Sequence, residues 1–324
     1  MGEWSKKIGE YGEDVVEKFL SIIGWNDSDK GIQIDCYKKN GEHTNEHGKA
    51  VQTHGIDFLY SYMNPLVDGQ LNNIIISSKY KTSKYPNSPT KLFKGFMSDL
   101  INQMECFDIS PNKEEILTGF QFSSINDVGV LFWLNNQADS DDDLLSKIAT
   151  ARIDTINRSS IYIVDNKHVG FILEVMRYLK AKNEYRYYFY YPSTGRNINP
   201  LTRMNTGPIL PVEYLNSSII PFKLVKIDNE KESYLMLASI DSFEKNTFMR
   251  LMGLAKDIST NLSGSIIIGF PDYNCLLHDN IIRQTKQGFN DSEFTKNVSV
   301  INFMDPVIVF ITIEQPKLIR NIRV

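Results

Sequence analysis

Three charged side chains stand where apolar neighbours make charge costly. Asp57 lies inside "HGIDFLYSYM", Lys79 inside "NNIIISSKYK", and Glu13 on the first helical segment, "GEYGEDVVEKFLSIIGW". Strand periodicity puts Ile56, Phe58, Tyr60 and Tyr62 on one face and Asp57 on the other, with Leu59 and Ser61. In "IIISSKYK", Ile75, Ser77, Lys79 and Lys81 share a face, so Ser77 and Lys79 project from the same side. If the two strands pair as a hairpin, Asp57, Ser77 and Lys79 converge. On the helix, Val16, Leu20 and Ile23 form an apolar stripe, and three residues before it comes Glu13. A carboxylate in that line needs a partner: a cation, a metal or several hydrogen-bond donors. A half-solvated acid favoured by the helix dipole is the plainer alternative.

The elements that must position these groups follow from pattern. A helix is predicted over 8–23, closed by Gly24. "GIQIDCYKK", "HGIDFLYSYM" and "QLNNIIISSKYK" read as strands, the last two joined by the turn-like "NPLVDGQ". A second helix runs to Phe107, with Ser88 as N-cap and Pro89 behind it. Strands are expected at "ILTGFQFSS", "VGVLFWLN" and "SSIYIVD". A helix opens after the acidic run at 138–143, another lies in "HVGFILEVMRYLKAK", and "EYRYYFYYP" is a strand. "NINPLTRMNTGPILPVEYLN", rich in Pro, Asn and Gly, marks a boundary. It divides the chain into 1–205 and 206–324, the second part alternating strand and helix up to "PVIVFITIE".

The charge distribution is local. Between Gly69 and Ser98 there is no acid, while Lys79, Lys81, Lys84, Lys91 and Lys94 are all present. A second stretch interleaves Lys180, Lys182, Arg186, Arg196 and Arg203 with aromatics. Basic plus aromatic is the pairing that phosphate contact and base stacking require. For the second stretch, a strand whose tyrosines pack on a neighbour accounts for the same residues.

The ordered set is Glu on the first helix, Asp after Gly on a strand, an apolar strand, then Ser-x-Lys and a helix. It resembles the PD-(D/E)xK nuclease superfamily, most of all the nuclease subunits of prokaryotic anti-phage defence. The resemblance spans about residues 5–125 and rests on "GEYGEDVV", "GW", "HGID" and "SSKYK". It implies a restriction-endonuclease-like α/β core, a central mixed sheet flanked by helices, followed here by an α/β or α+β domain. It also implies Mg²⁺ (or Mn²⁺) held by Glu13, Asp57 and the Ser78 carbonyl, with Lys79 as the ammonium. Lys81, Lys84, Lys91, Lys94 and His54 would then contact DNA, expected to be double-stranded. Such a cation acidifies water and neutralises phosphate charge, and an ammonium offsets charge that develops in the transition state. One position departs: the family's strand acid is Ser77 here. Three options stay open. Glu13 is the second carboxylate, or one has moved to the next helix at Asp99 or Glu105, or the protein binds DNA or a partner without cutting.

Just upstream, Cys36, His43, His47 and His54 could in principle hold zinc. Their spacing fits no compact zinc pattern, and a polar loop overhanging the site is the plainer reading. The chain of 324 residues has three widely spaced cysteines, an acidic amphipathic start, a net charge of −4 and no apolar run of membrane-spanning length. That excludes a globally basic nucleic-acid coat and points to reduced thiols in the cytoplasm. Control of such an activity implies a homo-oligomer or a second protein subunit, engaged through the apolar segments after Pro208.

Overall fold

The structure, a computed structural model, describes residues 2–38, 41–44, 48–137, 143–153, 159–259 and 264–304, with backbone only for 2–6. The chain divides into two compact units. The first comprises the residues up to Gly170 together with Thr194–Arg203 and Ile209–Asn216, and the second comprises the remainder. His47, the acidic run at 138–142 and the segment "PVIVFITIE" lie outside the described residues.

The first unit is a five-stranded mixed sheet. β1 (Asp29–Asp35), β2 (Thr53–Met63) and β3 (Gln70–Lys81) are antiparallel neighbours, and β4 (Ser124–Asn135) and β5 (Ile161–Val164) continue it in parallel. β3 is the central strand. Leu71 to Ser77 are all buried, as expected of a strand covered on both faces. Two of its polar exceptions are paired: Asn72 donates to the Tyr62 hydroxyl at 3.3 Å, and Asn73 to Asp127 at 2.8 Å. Helix α1 (Gly2–Ile22) buries Val16, Leu20 and Ile23, then stops at Gly24, whose φ of 90° suits glycine. Helix α2 (Thr90–Phe107) places Phe93, Met97, Leu100 and Met104 in a core shared with Ile75, Leu131 and Trp133.

Three expectations change. Ser88 is not the cap of α2. Pro89 holds that position at φ −75° without a side-chain cap bond, because its fixed φ already suits the helix. "ILTGFQFSS" is not a strand. Its first residues end α3 (Pro111–Thr118), whose start is fixed by Ser110 accepting from the Lys113 amide with Pro111 behind it. The alternation in β2 also slips. Ile56 and Leu59 join the same core cluster under α2, whereas strict alternation sets them on opposite faces. Phe58 lies under the Lys30 ammonium, which is bonded to Asp14 and Glu17 of α1. The slip falls at Asp57, where Gly31, at φ 67°, interrupts the pairing between Lys30↔Phe58 and Ile32↔Ile56. An irregularity of this kind re-aims one side chain without ending the sheet.

Short helix α4 (Leu144–Ile148) is capped by Asp143, and α5 (Asn166–Ala181) follows β5. The second unit has a six-stranded mixed sheet. It contains β6 (Tyr185–Tyr190), β7 (Thr206–Gly207), β8 (Ile219–Lys226), β9 (Ser233–Ser239), β10 (Gly264–Phe270) and β11 (Val298–Asn302). Their order is β11-β10-β9-β8-β6-β7. Helices α6 (Lys245–Ile258), α7 (Cys275–Gly288) and α8 (Ser292–Lys296) accompany it; α7 and α8 have no counterpart in the pattern reading. The tyrosines of β6 do pack on neighbours: Tyr185 meets Tyr234 edge-on, and the Tyr190 hydroxyl donates to the Ile258 carbonyl.

Gly12 sets how closely α1 approaches β3. A Cβ there would stand 2.3 Å from the Tyr80 Cβ, an atom that cannot swing away. Alanine in a helix normally gains about 1 kcal/mol over glycine, but overpacking costs about 1–3 kcal/mol. Gly12→Ala is expected to lower stability by a net of up to about 2 kcal/mol in denaturant unfolding. Gly95→Ala on α2, with open space around it, is expected to leave stability unchanged or raise it.

Candidate active site

The site forms where β3 leaves the core. Its apolar run ends at Ile76, Ser77 is still fully buried, and Ser78 and Lys79 are half-buried. The β2–β3 ladder pairs Phe58 with Ile76. One residue beyond, the Asp57 carboxylate accepts the Ser78 amide at 2.7 Å. Asp57 thus acts as the last rung of the hairpin, and its position is fixed by backbone rather than by a flexible partner. The Lys79 ammonium stands 5.7 Å from the Phe96 ring of α2. Its charge acts on Asp57 and lowers the cost of ionising it. Glu13 arrives from α1, one turn ahead of the buried Val16, near enough to Asp57 for the two charges to oppose each other.

Burial is the main reason that the Asp57 carboxyl titrates above its ordinary value. The Ser78 amide, Lys79 and the Ser77 hydroxyl oppose this without cancelling it. Glu13 is also raised, first by burial and then by Asp57, with Lys30 opposing. Two carboxyls that resist ionisation side by side are what a cation would relieve. The Ser77 hydroxyl adds to this: its Oγ is buried and makes no hydrogen bond of good geometry. Glu13, Asp57, the Ser77 hydroxyl and the Ser78 carbonyl offer only oxygen donors, the kind that a hard divalent ion prefers.

The helix carboxylates weighed as substitutes for the strand acid are placed elsewhere. Glu105 is bonded to Lys38 at 2.6 Å and to His43 at 3.2 Å. Asp99 lines a separate cleft with His54 and Gln103. His54 is 7% exposed and turns Nε2 toward His43 at 3.2 Å, so it faces protein rather than an open surface. Among the predicted basic contacts, Lys79 and Lys81 line a cleft of about 460 Å³ with Gly9, Ser78, Thr82 and Phe96. Lys84 and Lys91 are exposed beyond the end of β3, and Lys94 is half-buried on α2.

The raised carboxyls give a stability signature. Their charged forms are disfavoured in the folded chain, so their contribution is fully present at low pH and is lost as pH rises through their elevated values. Asp57→Asn keeps an acceptor for the Ser78 amide and removes the charge. Without added Mg²⁺, this variant is expected to melt above the wild type at neutral pH. The gap should close below the ordinary carboxylate range, and calorimetry across that range checks it.

Comparison with curated proteins and with solved structures gives no significant match. A family model does match: the PD-(D/E)XK nuclease domain of the GAPS4 protein, over residues 1–168. The match covers the strand bearing Asp57, the Ser-x-Lys end of β3 and the helix bearing Glu13. It is a nuclease family of anti-phage defence. With half of its length in that domain and the mixed sheet just described, the chain belongs to the GAPS4 PD-(D/E)XK nuclease family.

Proposed function

We propose that the protein is a divalent-metal-dependent endonuclease that hydrolyses phosphodiester bonds in double-stranded DNA, acting in the cytoplasm against foreign DNA. The observation that carries this reading is the convergence of Asp57, Glu13 and Lys79 at the end of β3. The Asp57 carboxylate is locked on the Ser78 amide at 2.7 Å there. Glu13, Asp57 and the Ser78 carbonyl would hold Mg²⁺ or Mn²⁺, with the Ser77 hydroxyl in the place of the family's strand acid. When bound, the ion supplies positive charge against the phosphate and acidifies water.

The chain's own residues do the rest. The Asp57–Ser78 bond keeps the carboxylate in place without a conformational search. Lys79, whose ammonium stands over the Phe96 ring, presents that charge to the phosphate oxygen that gains charge. Lys81, Lys84, Lys91 and Lys94 attract the backbone of the duplex and hold it across the cleft. Ser77 motivates a second reading, a nuclease-fold subunit that binds DNA without cutting. Regulation through a partner protein or a second copy belongs to the same proposal. Leu276 and Leu277, 91% and 70% exposed at the start of α7, favour an apolar contact in the second unit.

Cleavage of plasmid DNA under saturating conditions, with affinity measured in Ca²⁺, tests the assignment. Asp57→Ala should lower the rate by about 10²-fold or more and leave affinity intact or improved. Lys79→Ala should lose a comparable factor and also bind less tightly. Lys91→Ala should weaken binding modestly, flatten its salt dependence and spare the rate. Cleavage by Asp57→Ala at the wild-type rate would refute the site. Tight binding with no cleavage in any divalent metal would favour the second reading. Light scattering of the purified chain tests the assembly: a fully active monomer would count against it.

A further inference from the structure

A second cluster includes one residue of the strand that bears Asp57 but has different chemistry. Cys36 follows β1, His43 lies in the connection to β2, His54 is on β2, and Cys106 is on the last turn of α2. They are 0%, 3%, 7% and 1% exposed. One potential ligand atom from each lies within 4.8 Å of all the others, and no other such group of three or more occurs among the described residues.

The distances are those of a tetrahedron around a missing centre. Bond lengths of about 2.3 Å from zinc to sulfur and about 2.05 Å to nitrogen imply edges of about 3.8 Å between sulfurs, about 3.5 Å between sulfur and nitrogen, and about 3.3 Å between nitrogens. The sulfurs of Cys36 and Cys106 are 4.0 Å apart. His43 Nδ1 is 3.5 Å from each of them and 3.2 Å from His54 Nε2.

Hydrogen bonding alone does not account for this arrangement. His43 Nε2 lies 3.2 Å from the Glu105 carboxylate, which accepts and cannot donate, so Nε2 carries the proton. Nδ1 is then a single in-plane lone pair, yet three groups converge on it. One lone pair cannot serve three donors, whereas one cation serves all four ligands. Glu105 is itself anchored by Lys38 at 2.6 Å, giving the carboxylate–histidine support that fixes a metal ligand's tautomer. The backbone amides of Tyr37 and Lys38 point at the Cys106 sulfur.

We propose that Cys36, His43, His54 and Cys106 bind one structural Zn²⁺. Four protein ligands close the shell, which leaves no open position for substrate. Two thiolates select a borderline-soft ion over Mg²⁺ or Ca²⁺. Binding releases the two thiol protons to solvent. The ion ties the β1–β2 connection and the end of α2 to β2, three residues before Asp57. It thereby holds the strand that carries the carboxylate.

The test is metal content, which is independent of cleavage. The full chain, purified under reducing conditions without added metal, is expected to contain about one zinc by elemental analysis. Cys106→Ser and Cys36→Ser should lose it at least tenfold. Asp57→Asn should retain it, which separates this site from the nuclease centre. Replacement by Co²⁺ in the wild-type chain should give strong tetrahedral visible bands with a thiolate charge-transfer band. This readout stands even if the serine variants fail to fold. A reduced wild-type chain that neither carries nor takes up stoichiometric zinc, or a weak octahedral Co²⁺ spectrum, would overturn the proposal.

Discussion

The hydrogen bond from the Ser78 amide to the Asp57 carboxylate joins the two halves of the structural problem. A charge cannot be buried alone, and a central strand cannot leave its amides unpaired. β3 satisfies its ladder as far as Ile76. Where the ladder to β2 runs out, an acid side chain takes over the next amide. The carboxylate is held by the same rule that holds the sheet. Lys79 then offers the compensating charge from the strand end, where its ammonium stands over the Phe96 ring.

The position of Glu13 depends on that strand end as well. α1 can lie close on β3 because Gly12 has no side chain against Tyr80. Close approach brings the next residue, Glu13, to the charge of Asp57, and burial raises both carboxyls. A pair tuned this way stores unfavourable energy that a cation would release. The unsatisfied Ser77 hydroxyl is consistent with such a site, since buried polar atoms without partners are few in native folds.

β2 carries residues of two different donor sets within four positions. Asp57 offers a hard carboxylate oxygen, and His54 lies among thiols and imidazole. Ligand softness would keep the two proposed ions apart: magnesium has little affinity for a sulfur set, and zinc in a closed four-ligand shell would have no position left for water or phosphate. The slip in β2 at Asp57 contributes as well. It lets Ile56 and Leu59 share the α2 side while Phe58 lies under Lys30, which is bonded to α1.

The sequence by itself determined the order of elements around the candidate site and the elements on which Glu13, Asp57 and Lys79 stand. "HGIDFLYSYM" and "QLNNIIISSKYK" become β2 and β3 almost to the residue, because their apolar runs are bounded by turn residues and admit one register as a hairpin. The stripe Val16, Leu20 and Ile23 placed Glu13 for the same reason, a fixed helical period. Helix α3 was also encoded, in a Ser110–Pro111 start that the β-branched and aromatic residues after it mask. Other features were decided only in three dimensions. The slip at Asp57 arises from pairing with a β1 that carries Gly31 at positive φ, and strict alternation has no term for that. His54 reads as a phosphate contact from its neighbours in sequence, and tertiary packing turns it to His43 instead. Cys106 stands 52 residues after His54 in the numbering of the chain. No local spacing connects them, and only the packing of α2 on the sheet brings its thiol to the other three ligands.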